Sequence, residues 1–413
     1  MLDLDQLLRH AVEQRASDIH LKVGSRPMLR IDGVLRETTF DLVEPEEAER
    51  VAMAIMPPRR AERFHDGREA DFVYSAPGRG RFRVSAFRQR GWVGLVMRRV
   101  LASPPGFDAL GLPPGVKRLA DSPSGMVLVT GLAGSGRTST LASILDHVNQ
   151  NEPRHIITVE DPIEVLHPDK RSIVTQREVG TDTVSFRDAI VHALRQDPDV
   201  VFVSALPDAP TARAALEAAD VGHFVLASMS TVSATDTVSQ LIELFPPHER
   251  PQIRGLLARA LRGIICQRLL PRAGGRGRVP AVEVLVVNSG ASEALLGGQT
   301  DRLESIMRDG EYYEMQTFDQ SLLNLYRRGL VERDAALHHA TSAPALRVEL
   351  EQVDRTRGNG QSNPASALPA LSAPPAGRPM PPPGGMPVPG PAPLEPPVST
   401  GFAPPTAGPI AAD

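Results

Sequence analysis

Met126-Val127-Leu128-Val129-Thr130-Gly131-Leu132-Ala133-Gly134-Ser135-Gly136-Arg137-Thr138 runs from a short apolar strand through a glycine-rich loop into a helix expected over Thr138 to Val148. In a strand–loop–helix setting, the pattern G-x-x-x-x-G-K-[ST] marks a phosphate-binding loop. Gly131, Gly134 and Gly136, with Ser135 between them, let backbone N–H groups converge on phosphate oxygens. The helix N-terminus adds positive potential, and Ser139 lies in its first turn. The Thr138 hydroxyl is placed to ligate Mg²⁺, so ATP and Mg²⁺ are the expected cofactors. One position departs from the pattern: Arg137 stands where a lysine normally reaches the β and γ phosphates. Arginine keeps the charge but is longer, planar and forked, so nucleotide binding is expected in weakened form. A plain alternative origin for Arg137 is the chain's bias, because only Lys22, Lys117 and Lys170 are lysine among its 45 Lys plus Arg.

Around this loop, residues 116 to 350 alternate short apolar strands with helical stretches, which predicts an α/β fold with a mainly parallel sheet. The strands are expected at Met126 to Thr130, His155 to Val159, Val200 to Val203 and Phe224 to Ser228. Cys266, the single cysteine, lies among Ile264, Ile265 and Leu269 and is expected to be a structural thiol in a buried helix. Residues 1 to 100 read as a smaller α/β domain. Leu4, Leu7, Leu8, Ala11 and Val12 repeat at helical spacing, and a second helix is expected over Pro45 to Ile55. Strands are expected at Ile19 to Val23, Met28 to Ile31, Val34 to Arg36, Ala70 to Tyr74, Arg81 to Arg88 and Val93 to Val100, with a hairpin turn at Asp32-Gly33. Residues 101 to 115, rich in Pro and Gly, are expected to be a linker. The segment 351–413 is expected to be a disordered tail. Of the chain's 39 prolines, 17 fall after residue 360, and such a segment buries too little apolar surface to offset its ordering entropy.

The net charge of −4 gives no reason to expect a nucleic-acid partner. No apolar run reaches the roughly 18 residues of a membrane helix, and the N-terminus lacks a signal-peptide pattern. A soluble cytoplasmic protein is the expectation.

Several ordered motifs then accumulate: Ala16-Ser17-Asp18-Ile19-His20-Leu21, Arg81-Phe82-Arg83-Val84, Thr158-Val159-Glu160-Asp161-Pro162-Ile163-Glu164, Gln176-Arg177-Glu178-Val179, Gly222-His223, Leu244-Phe245-Pro246-Pro247 and Met315-Gln316-Thr317-Phe318-Asp319. Over residues 1 to 345 the chain resembles the type IV pilus retraction ATPases (PilT and PilU) of the secretion ATPase superfamily. That resemblance implies a PAS-like N-terminal domain, a RecA-like P-loop domain and a hexameric ring. It also implies a place at the inner face of the cytoplasmic membrane, docked on an inner-membrane pilus platform protein. By position, Glu164 matches the glutamate that activates the attacking water, a task suited to a carboxylate in a closed site. Arg81 and Arg83 match arginines that reach the nucleotide phosphates, with Arg177 and Arg195 ranking behind them. Arg88 and Arg90 read better as a solvated strand face. His223 matches a retained histidine of the family's histidine box and is counted with the nucleotide-binding residues.

The sequence also departs from this family at the chemistry. Where the Walker B strand should end in Gly-Glu, it ends in Ser204-Ala205; Asp208 lies too far on, behind Pro207, to substitute. Where the second histidine box should read Leu-His-Thr, Met229-Ser230-Thr231 stands. Near 291–296, Glu293 replaces an arginine of a helix linked to retraction. Losing one positioned acid–base or polarising group typically costs about 10² to 10⁴ in rate. With Arg137, three such changes gather around one γ-phosphate. The expectation is a hydrolysis-impaired accessory ring subunit, homo-hexameric or mixed with an active paralogue. An active motor in which Arg137 serves as the lysine, and a nucleotide-independent scaffold, remain the alternatives.

Overall fold

The computed structural model describes residues 2–358 apart from Asp32, Arg68, residues 101–103 and Arg276. Two sheets organise it. The first contains β1 (Asp18–Lys22), β2 (Met28–Ile31), β3 (Val34–Glu37), β4 (Ala70–Ala76), β5 (Gly80–Gln89) and β6 (Trp92–Val100). It is antiparallel throughout, in the order β3-β2-β1-β6-β5-β4. Alternation along the strands sends Ile19, Leu21, Val84, Leu95 and Met97 into one core with the helices Leu4–Glu13 and Pro45–Ile55. The intervening residues, among them His20, Lys22, Trp92 and Val96, occupy the opposite, open face.

The second sheet contains β7 (Gly125–Thr130), β8 (His155–Glu160), β9 (Ile173–Glu178), β10 (Val200–Val203), β11 (Phe224–Met229), β12 (Leu261–Pro271) and β13 (Arg278–Val286). Its order is β13-β12-β7-β11-β10-β8-β9, parallel except for the antiparallel edge strand β13. Every residue of β10 and β11 is buried, as a sheet covered by helices on both faces requires. The chain is thus α/β, as expected.

Three local expectations change. Cys266 lies on β12, not in a helix, because the run around it is buried on both faces and so has no period to separate strand from helix. Burial pushes its thiol up to about 12, consistent with a structural role. The expected linker holds one short helix, Phe107–Leu110, and the first two residues of another, Pro114–Ala120, which buries Val116 and Leu119 against the parallel sheet. The expected tail begins inside the helix Ala343–Gly358, whose Leu346, Leu350 and Val353 pack at helical spacing against Phe318 and Leu322. The rest of that segment lies outside the described residues. Among the described residues no helix is long and apolar enough to cross a membrane.

Candidate nucleotide site

The phosphate loop leaves the C-terminal end of β7, and the ends of β8, β10 and β11 flank it. This is the edge at which open parallel sheets hold ligands. The helix Arg137–Asn151 follows, capped by Gly136 at φ 93°. Two glycines are required by close approach. A Cβ on Gly131 would lie 2.5 Å from the Gln267 carbonyl oxygen, and one on Gly136 would lie 2.6 Å from Gln267 Nε2. Gln267, buried on β12, holds the loop from below. Its Nε2 donates to the Ser135 carbonyl at 2.8 Å, and its Oε1 accepts from Thr140 Oγ1 at 2.8 Å. Nothing local in the sequence marks Gln267, which lies far along the chain from the loop it supports. Gln267→Leu should lower the unfolding free energy by about 1–3 kcal/mol, since it strands two buried polar groups. Denaturant unfolding of the full chain measures this, and an unchanged midpoint would remove Gln267 from that supporting role.

The first helical turn does not aim its cation at the loop. Arg137 Nη1 donates to the Met229 carbonyl at the end of β11, at 2.7 Å. Burial lowers the Arg137 pKa, and the charge of Glu164 opposes that effect. Thr138 Oγ1 donates to Glu164 Oε2 at 2.5 Å, so the expected Mg²⁺ ligand and the expected water-activating carboxylate do meet. Both line a cavity of about 140 Å³ that also touches Glu160, His167, Ser204 and Ala205.

Glu160 is the deeper carboxylate of that cavity. Burial raises its pKa, while hydrogen bonds from Thr158 Oγ1 at 2.7 Å and Gln176 Nε2 at 2.9 Å favour the charged form. His167 lies beside it with Nδ1 buried and unpartnered, and burial lowers its pKa to about 4. In the sequence Glu160 and Gln176 are only letters of two separate motifs. Their pairing depends on β8 lying beside β9.

The remaining expected residues divide. Ala205 lines the cavity where a Walker B carboxylate would stand. Asp208 is occupied elsewhere, accepting from Thr211 N at 2.8 Å as the cap of the helix Ala209–Asp220. Ser230 follows directly on the end of β11 and is exposed. Arg81 and Arg83 reach the acidic segment from the first sheet. Arg81 lies 4.0 Å from Glu178, and Arg83 lines a cavity of about 200 Å³ with Asp161 and Glu178. Arg88 pairs with Glu49 at 3.1 Å, which keeps it within the N-terminal fold. His223 is not brought to the loop. It precedes β11, with Nδ1 2.8 Å from the Pro198 carbonyl oxygen, at the edge where β7 begins. The strand that separates it from the loop spans about 20 Å.

The loop residues fit a phosphate group, since Gly131, Gly134 and Gly136 all hold positive φ, the backbone form in which successive N–H groups can converge on an anion. Among the described residues, no three His, Cys, Asp or Glu side chains converge on a metal position. A Mg²⁺ held by Thr138 would therefore depend on phosphate oxygens and water for most of its shell.

Residues 1–302 match the model of the family described as Type II/IV secretion system protein. The chain belongs to that family. It is 37% identical over 339 residues to the type IV pilus retraction ATPase PilT of Pseudomonas aeruginosa, covering 82% of this chain and 98% of that one. It is 36% identical over 350 residues to the type IV pilus ATPase PilU of the same organism, covering 85% and 92%. Among solved structures, the pilus retraction motor PilT with bound ADP superposes with a TM-score of 0.78 at 40% identity, covering 84% of this chain and 100% of that one. The DotB ATPase of Legionella pneumophila gives a TM-score of 0.71 at 27% identity, covering 81% and 94%.

Proposed function

We propose that the chain is an ATP- and Mg²⁺-binding ring subunit of a pilus retraction machine, impaired in hydrolysis and acting as an accessory or regulatory member. The observation that carries this reading is Arg137, whose guanidinium donates to the Met229 carbonyl instead of facing the loop. A nucleotide would be held by the loop amides around Gly131, Gly134, Ser135 and Gly136, by Thr138 and Ser139, and by Arg81 and Arg83 from the first sheet. Bound Mg²⁺ would neutralise phosphate charge. Glu164 would orient water, but Ala205 and Ser230 supply neither a second carboxylate nor an imidazole. In this reading the ring is a hexamer, alone or mixed with a PilT-like paralogue, and it sits on an inner-membrane platform protein from the cytoplasmic side, with no nucleic-acid partner.

One observation favours a second reading. Thr138 and Glu164 are hydrogen-bonded beside an open cavity, the arrangement that a working but slow motor would retain. Steady-state phosphate release from Mg-ATP by the full chain, with Glu164→Gln as the blank, separates the two. Equality with the blank is expected; a rate clearly above it makes the chain an active motor. Calorimetric titration with Mg-ATP adds a third arm, because absence of binding leaves a nucleotide-independent scaffold.

A further inference from the structure

The open face of the first sheet carries a larger cavity, of about 630 Å³. Small-molecule sites usually fall at ~300–1,000 Å³ and combine apolar walls with a few polar groups. Trp92, the chain's only tryptophan, lines it together with Phe87 and Leu35. Trp92 is 53% exposed and Leu35 42%, large apolar groups to leave on a sheet face. Phe87 covers Gly94, where a Cβ would come within 2.8 Å of the ring, so the missing side chain makes room for an aromatic wall.

The polar lining has one sign. Lys22 and Arg90 border the cavity, and no Asp or Glu does. The other cations of this face are engaged: Arg98 and Arg30 pair with Asp18, and Arg26 donates to the carbonyls of Thr39 and Phe40. Lys22 and Arg90 have no such partner among the described residues. His20, on the same face as Lys22, has its Nε2 buried without a hydrogen-bond partner.

We infer that this cavity binds a small amphipathic anion. A flat apolar body would lie against Trp92, Phe87 and Leu35, and its acidic group would face Lys22 and Arg90. This site is independent of the phosphate loop and of whether the chain hydrolyses ATP.

Because the chain has one tryptophan, its emission reports on this cavity. The probe is 1-anilinonaphthalene-8-sulfonate, an aromatic sulfonate, titrated into the full chain with saturating Mg-ATP present. The expected result is a saturable loss of Trp92 emission by energy transfer, at one probe per chain. Lys22→Glu and Leu35→Glu, both at exposed positions, should weaken binding about tenfold or more, the scale of one charge-assisted contact, with the melting temperature unchanged. Unsaturable transfer, or the same affinity in both variants, would overturn the proposal. So would a loss of probe binding as chain concentration rises, since a second copy would then be the occupant of this face.

Discussion

Phosphate release from Mg-ATP by the triple variant Arg137→Lys, Ala205→Glu, Ser230→His is expected to exceed that of the parent chain by ~10² to 10⁴. Each change restores one group around a single site. Lysine replaces a forked side chain that now donates to the Met229 carbonyl with a shorter point charge on a flexible stem. Glutamate at 205 adds a carboxylate to a cavity already lined by Thr138 and Glu164. Histidine at 230 places an imidazole at the end of β11. Groups that act as one unit do not contribute independently, so the single variants should each recover far less than the triple. Steady-state phosphate release is the measurement, with Glu164→Gln in the triple background as the blank. Unchanged turnover would overturn the reading that these three positions limit hydrolysis.

Glu283 should draw stability down as pH rises from about 4.5 to about 7, against the opposite draw of His167, whose lowered pKa favours the folded chain as pH climbs from about 4, and Glu283→Gln should remove the downward share. Glu283 lies on β13, 4% exposed. It accepts the Ala234 N–H at 2.6 Å and a backbone hydrogen bond from Phe318, so it pins the first residues of the helices Ala234–Glu243 and Phe318–Arg327. Burial pushes its pKa up to about 7 from an ordinary value of 4.5; those amides and Arg268 pull it down, and the charge of Glu304 adds to the rise. Between the two values the folded chain holds a proton that the unfolded chain has released. Folding is therefore favoured most below the lower value, and the advantage is lost as pH climbs through the upper one. The gap corresponds to about 3 kcal/mol. The substituted glutamine keeps an acceptor oxygen for the Ala234 amide and never ionises, so between about pH 5 and about pH 8 the variant should lose less stability than the parent. Denaturant unfolding of parent and variant at about pH 5 and about pH 8 measures this, and parallel pH slopes would remove Glu283 as the source.

What is legible in the sequence follows from how local each feature is. The strand–loop–helix unit of Gly131 to Thr138, the buried runs of β10 and β11, and the alternating strands of the first sheet all carry their period within a few residues. The β12 run around Cys266 carries none, and so reads equally well as helix. Gln267 under the loop, and Glu160 held by Gln176, depend on which strands lie side by side. His223 groups with the loop in sequence because it belongs to the same box as residues 229–231, yet the box spans a whole strand and its two ends lie at opposite edges of the sheet. The departure at 137 is legible against the phosphate-loop pattern alone, whereas those at 205 and 230 are legible only against a family pattern.

Ala205 and Ser230 stand just past the last paired residues of β10 and β11, Val203 and Met229. No ladder bond depends on their side chains, so the fold is nearly indifferent to what occupies them. Substitutions at these two positions can thus accumulate one at a time, each intermediate keeping the paired strands of the sheet. The chemistry at the C-terminal ends of these strands is therefore separable from the fold that presents it.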